Sequence, residues 1–170
     1  MNTSTVHSIR LVVLPFIFPL VFLGIPGAGA NELSLNLYGL SHHWERGEAK
    51  RIGTDHEFNP GLGLRYGLEP SRICRTPFVE AAAYRDSGAA TAVYAALGCK
   101  GWQLGDNLYL GGALAAFHSD TYNRGAPFIA PIPLLTWQLK GVALNFTHFP
   151  KVKGFNDINT TGLYLSLPLN

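Results

Sequence analysis

The chain is 170 residues long, charged residues make up only 14 % of it, and the net charge is a mild +2. A length of this order implies one domain, and a small charge without any block of like sign gives nucleic acid little to hold. The 19 glycines and the 12 % aromatic content suit strands and tight turns better than long helices.

In chain order, the first segment reads as a processing signal. Arg10 precedes the apolar run Leu11 to Gly24, and Ala28-Gly29-Ala30 has the small-x-small pattern of a signal-peptidase site. The run is shorter than the ~20 residues a spanning helix needs, and Pro15 and Pro19 interrupt it. Cleavage is expected after Ala30, leaving a single mature domain over residues 31–170. An exported chain permits a disulfide. A hairpin that turns near Asp86 and Ser87 brings Cys74 beside Cys99 at its far end, within the reach of a bridge.

Eight strand candidates follow: about Glu32 to His42, about Gly61 to Leu68, Pro77 to Arg85, Ala90 to Trp102, Leu108 to His118, about Phe128 to Leu139, Val142 to Phe149 and Asn159 to Leu167. Most have the ~10-residue length of a tilted membrane strand. In the third, Val79, Ala81 and Ala83 oppose Glu80 and Tyr84. In the eighth, Leu163, Leu165 and Leu167 oppose Tyr164 and Ser166. Period two with one apolar face marks a half-buried strand. A soluble sandwich shares that signal. Three features favour a barrel: eight strands, connections alternating between short and long, and no helical segment to cover a face. The predicted fold is all-β, an eight-stranded antiparallel transmembrane β-barrel of up-and-down topology in a bacterial outer membrane.

Glu69 to Thr76, Gln103 to Asn107 and Lys140-Gly141 connect strands at one end. His43 to Pro60, Asp86 to Ala89, Ser119 to Pro127 and Pro150 to Ile158 connect them at the other. Bacterial barrels keep short turns in the periplasm and longer loops outside. The second set therefore faces outward and gathers His42, His43, Asp86, Ser87, Ser119, Asp120, Tyr122 and Asn123 at one rim. An Asp-Ser-Gly turn has backbone reasons of its own; its company at this rim makes it a candidate site.

The sixth strand breaks the rules of a closed wall. Pro127, Pro131 and Pro133 fall where a barrel strand should donate hydrogen bonds, and proline cannot donate. The hydrogen-bonded wall is expected to open beside this strand and give access from the side.

Taken together, Ser41-His42-His43, Gly61-Leu62-Gly63-Leu64, Tyr84-Arg85-Asp86-Ser87, Asp120-Thr121-Tyr122-Asn123 with Ala130-Pro131-Ile132-Pro133-Leu134, and Thr147-His148-Phe149-Pro150 resemble the PagP-type lipid A palmitoyltransferases in order and spacing. That family's members are eight-stranded barrels that move a palmitoyl chain from a membrane phospholipid to lipid A. The resemblance implies that His43, Asp86 and Ser87 hold the family's catalytic positions. It also implies that Gly98 holds the position of the acyl-chain ruler at the pocket floor.

Acyl transfer needs a nucleophile or activated hydroxyl, a base, and donors for the developing oxyanion. Ser87 suits the nucleophile or an oxyanion contact, His43 the base, and Asp86 the group that orients it. Tyr122 and Asn123 are candidate substrate contacts. Parity from Ser34, Asn36 and Tyr38 aims His42 inward, whereas the family pattern selects His43; a bulge at Gly39 reconciles the two. Adjacent histidines on a strand face apart and no further ligands cluster with them, so a metal site is not expected, nor is a cofactor. Arg65 and Lys100 read as lumen charges paired with Glu80, and Tyr109, Trp102 and Trp137 as interfacial belts. His118 and Ser119-Asp120 read as head-group contacts or as solvated loop. The leading function is acyl transfer from a phospholipid donor to lipid A or a related glycolipid by a monomer. A lipid deacylase and a non-enzymatic structural or adhesive barrel are the competitors.

Overall fold

A computed structural model describes residues 31–153 and 155–169. The expected leader, residues 1–30, lies outside the described residues. Eight strands, β1 (Leu33–His43), β2 (Phe58–Gly67), β3 (Pro77–Arg85), β4 (Thr91–Gln103), β5 (Leu108–His118), β6 (Phe128–Leu139), β7 (Val142–Phe149) and β8 (Thr160–Pro168), close into one barrel in sequence order, each antiparallel to the next. The predicted all-β, eight-stranded antiparallel up-and-down barrel is the one observed. No helix among the described residues is long and apolar enough to cross a membrane.

The polarity of the wall is inverted relative to a soluble domain. Leu62, Leu64, Leu97, Leu114 and Ile129 are exposed on the outside, while Asn36, Arg65, Glu80, Thr136, Asn145 and Ser166 are buried inside. An apolar exterior around a polar interior is the pattern of transmembrane-type barrels. Trp102 and Trp137 stand exposed at the short-turn end. Tyr109 instead falls on the inward face with Ala115 and Phe117 and is half-buried.

The lower lumen is filled by a polar plug. Arg65 Nε donates to Glu80 Oε2 at 2.9 Å and its Nη2 to the Tyr164 hydroxyl at 2.7 Å. Asn36 and Tyr94 also donate to Glu80. A second chain runs from Asn145 Nδ2 to Ser166 Oγ at 2.9 Å and from Ser166 Oγ to Asn36 Oδ1 at 2.6 Å. Buried polar groups of this kind hold a structure only when mutually satisfied. Lys100 is buried lower in the barrel and is not among the partners of Glu80. Above the plug the tyrosines form a layer: Tyr38 stacks on Tyr84 at 5.3 Å and on Tyr164 at 4.7 Å between ring centroids, and the Tyr38 and Tyr94 hydroxyls are hydrogen-bonded.

Three local features shape the functional end. The register of β1 shifts between Tyr38 and Leu40 against both of its neighbours. This is the bulge at Gly39, and it inverts the parity of everything above it. The first outer loop carries a helix, α1 (Arg46–Ile52), which the strand-only reading did not anticipate. Its residues are mostly helix formers, Gly53 ends it in the left-handed conformation (φ 74°), and Ala49 is its buried residue. Finally, β6 pairs with β5 along its whole upper half, to Phe117↔Phe128. It pairs with β7 only from Leu134↔Thr147 downward, although β7 continues to Phe149 along β8. Residues two apart point their N–H groups to the same side, so Pro131 and Pro133 remove donors from one edge of β6. The wall is therefore open between the upper halves of β6 and β7, as the prolines foretold.

At the opposite end Cys74 and Cys99 are bridged, with Cα atoms 6.0 Å apart. The expected pairing is present, but its local frame differs. Cys99 lies opposite Pro77 in the ladder, so Cys74 reaches it from the connection before β3.

Candidate active site

The bulge at Gly39 decides which histidine turns inward. With one extra residue in β1, Ser41 and His43 continue the inward face of Ser34, Asn36 and Tyr38. His43 is buried, 2 % exposed, whereas the side chain of His42 is 49 % exposed. His43 Nε2 is hydrogen-bonded to Ser87 Oγ at 2.9 Å. The two strands that carry these residues are separated by β2. The bond forms because β1 runs high enough to place the ring over the β3–β4 turn.

Asp86 is buried beside Ser87, but its carboxylate is directed away from the imidazole. Oδ1 accepts from the backbone N–H of Gly88 at 2.9 Å and of Ala90 at 3.0 Å, and from Thr121 Oγ1 at 2.9 Å. Oδ2 accepts from Ser119 Oγ. The partners of Asp86 thus belong to its own turn and to the β5–β6 connection, and His43 is not one of them. An aspartate that bonds its own backbone two residues on is a turn former. Here it also ties two outer loops together and fixes the angle at which Ser87 is presented. Gly88 is part of that device, because a Cβ there would run into the Thr121 side chain.

The carboxylate nearest the far side of the imidazole is Glu57, which the sequence reading did not single out. Its Oε1 lies 3.8 Å from His43 Nδ1 and accepts the His43 backbone N–H at 3.2 Å. Its Oε2 accepts from Arg46 Nη2 at 2.9 Å. The His43 N–H, and behind it the Arg46 guanidinium, hold the Glu57 carboxyl below its ordinary range. One signal was present in the sequence: Glu57 precedes β2, where that strand meets the top of β1, so the hairpin has to bring it beside Ser41 to His43. Its neighbour His56 packs on the other partner, its backbone N–H donating to the Ser87 carbonyl at 3.2 Å.

Tyr122 reaches the site from the β5–β6 connection. Burial and the Asp86 carboxylate push its phenol up to about 12, and the adjacent Ser87 hydroxyl offsets part of that rise. It therefore remains a hydrogen-bond donor throughout the neutral range. Asn123 is turned to a different task. With φ 47° it shapes the loop, its side chain donates to the Ala126 carbonyl at 3.0 Å, and it does not line the cavities around Ser87.

Beneath Ser87 a cavity of about 70 Å³ runs down to Tyr38, Tyr94 and Tyr164 and sideways to Ile132 and Phe149 at the open wall. A second, of about 90 Å³, lies by Phe128 and Phe155 and adjoins the first across Tyr84, Phe117, Tyr122, Phe149 and Thr160. Gly98 lines neither. A Cβ on Gly98 would meet the ring of Phe78, which is buried and fills the lumen at that depth. This cavity reaches the tyrosines and Glu80 but not Gly98, which Phe78 covers. The local role of this glycine is to make room for Phe78, with Arg65 held over the same ring at 4.1 Å.

Among the described residues no group of three or more histidine, cysteine or acidic side chains is placed to hold a metal ion. Fold and rim together define a transmembrane-type eight-stranded barrel with a buried serine–histidine pair above an interior cavity and beside an opening in its wall. No family model matches the chain, and no curated protein matches it.

Proposed function

We propose that this barrel is an outer-membrane acyltransferase that moves an acyl chain from a phospholipid to lipid A or a related glycolipid, as the PagP-type resemblance suggests. The observation that carries this reading is the 2.9 Å contact between His43 Nε2 and Ser87 Oγ, buried at the rim and connected through a cavity to a gap in the wall. The exposed apolar exterior supports reading the gap as an entrance for lipid chains.

The chemistry follows from the pair. Ser87 Oγ attacks the donor's ester carbonyl and passes its proton to His43 Nε2. The bond from acyl carbon to glycerol oxygen breaks, and that oxygen takes the proton and leaves as a lysophospholipid. An acceptor hydroxyl then gives its proton to Nε2 and attacks the acyl-serine, and Ser87 Oγ leaves with the proton. The Tyr122 hydroxyl, beside Ser87 on the same cavity, serves as a donor to the oxyanion.

The cavity bears on how the chain is held. Its mostly apolar lining continues from Ser87 to Ile132 and Phe149 at the gap. A long acyl chain would therefore put its carbonyl end under Ser87 and run outward through the gap past Ile132 and Phe149. The test is reconstitution in vesicles holding a labelled phospholipid with and without lipid A. Labelled lipid A together with lysophospholipid supports transfer. Free fatty acid in both cases makes the protein a deacylase, and unchanged lipids make it a non-enzymatic barrel.

A further inference from the structure

The imidazole of a serine–histidine pair acts as a base only when its outer nitrogen carries the proton and its inner nitrogen offers a lone pair to the serine. In His43 the inner nitrogen, Nε2, is engaged by Ser87. The outer nitrogen, Nδ1, is buried without a hydrogen-bond partner. A buried polar atom left unmatched is costly, and at a candidate site it points to function. The acidic group facing it most closely is Glu57, with Oε1 at 3.8 Å.

We infer that Glu57 is the positioning carboxylate of this site, holding His43 with its proton on Nδ1 and stabilising the imidazolium that forms when Ser87 gives up its proton. The role of Glu57 in turnover rests on the acyl-transfer reading above, whereas its hold on the His43 proton does not.

Three observations fit this assignment. Glu57 is itself held beside the ring, by the His43 backbone N–H at 3.2 Å and by Arg46 at 2.9 Å. The same Oε1 serves the backbone and faces the ring of one residue, so moving the ring toward it by about 1 Å would close a charge-assisted hydrogen bond of ~2.8 Å without unfolding the loop. Asp86, the other acidic neighbour of the pair, has both oxygens committed to Gly88, Ala90, Ser119 and Thr121. The remaining charged or titratable groups around the ring are His42, Arg46 and Asp55. His42 lies 3.7 Å from the same Glu57 oxygen, on the exposed side. The helix α1 therefore has a use beyond covering the loop: its Arg46 aligns the carboxylate that aligns the histidine.

The experiment is nitrogen NMR of histidine-labelled protein in detergent micelles, as wild type, Glu57→Gln and Glu57→Asp, with Ser87→Ala as assignment control. The ring-nitrogen shifts report directly which nitrogen of His43 carries the proton, whether or not any substrate is known. Wild type should hold the proton on Nδ1. Glu57→Gln should lose that preference, and Glu57→Asp should recover much of it. In the transfer assay Glu57→Gln should lower turnover on the order of 10²-fold and move the acid limb of its pH profile to lower pH, because a negative charge that favours the imidazolium is gone. An Nδ1 proton equally well held in Glu57→Gln overturns the inference, as does a turnover and acid limb indistinguishable from wild type. Should wild type transfer no acyl group while its Nδ1 proton depends on Glu57, the acyltransferase reading fails and the positioning role stands.

Discussion

His43 and Ser87 stand 44 residues apart in sequence, yet Nε2 of one lies 2.9 Å from Oγ of the other. The contact depends on the extra residue at Gly39, without which His42 would face the lumen. Ser87→Ala and His43→Ala are each expected to reduce acyl transfer at least 10³-fold while heat-modifiable gel mobility shows a folded barrel. His42→Ala, on the exposed side, should change it less than about threefold. The reverse ranking of the two histidines would show that the other ring is the base.

Asp86 is expected to matter through the loops. Replacing it with alanine leaves the Gly88 and Ala90 N–H groups and the Ser119 and Thr121 hydroxyls without their acceptor. A loss of about 3 kcal/mol is expected, visible as an earlier urea midpoint in vesicles, with activity falling alongside. Asp86→Asn should leave the acid limb of the pH profile in place, since this carboxylate does not face the imidazole.

Much of this architecture was legible beforehand. Strands β3, β5, β6 and β7 fall within their expected bounds, because period-two alternation and Gly- or Pro-rich breaks state them directly. The gap beside β6 was legible because proline's missing donor is a local fact with a global result. The partners of side chains were less so. Whether Asp86 turns toward a histidine or its own backbone depends on side-chain geometry within the turn, which sequence does not encode visibly. Glu57 sits in a polar loop, where one acidic residue looks like any other until the hairpin closes. The helix α1 is two turns long, too short to show a period. Phe78 over Gly98 is a contact between neighbouring strands whose register, set by the turn at Asp86, had to be known first.

Gly98→Met separates a packing role from a chain-length ruler. Because a side chain at 98 meets Phe78, the variant is expected to lose about 1–3 kcal/mol through overpacking, with stability and activity falling together. Its preference among donors of graded acyl length should match that of wild type. A folded, active variant with a shifted preference would return Gly98 to the floor of the acyl site.

The bridge between Cys74 and Cys99 closes a separation of 25 residues. Its removal by Cys74→Ser with Cys99→Ser is expected to cost about 3 kcal/mol on the loop-entropy scale, read from urea unfolding. Because it lies at the opposite end of the barrel from Ser87, turnover of the folded variant should be unchanged. Complete thiol labelling of unreduced, denatured wild type would contradict the bridge.

Tyr122→Phe tests the oxyanion contact. Loss of one donor aimed at developing charge is expected to lower kcat by about 10²-fold with KM little altered. The phenol is pushed up to about 12, so the donating, neutral form persists below that value. Activity should therefore show no alkaline loss near pH 10 of the kind an ordinary tyrosine would give. An alkaline limb near 10 that disappears in Tyr122→Phe would mean that the phenol is not held neutral as described.

We propose that the His43–Ser87 pair moves an acyl chain between membrane lipids. Mass spectrometry of lipid A and phospholipids, from cells producing the wild-type chain and cells producing Ser87→Ala at equal level in the membrane, addresses it most directly. Lipid A heavier by one acyl group, with matching lysophospholipid, is expected in the wild type alone. Identical lipid profiles in the two strains would contradict it.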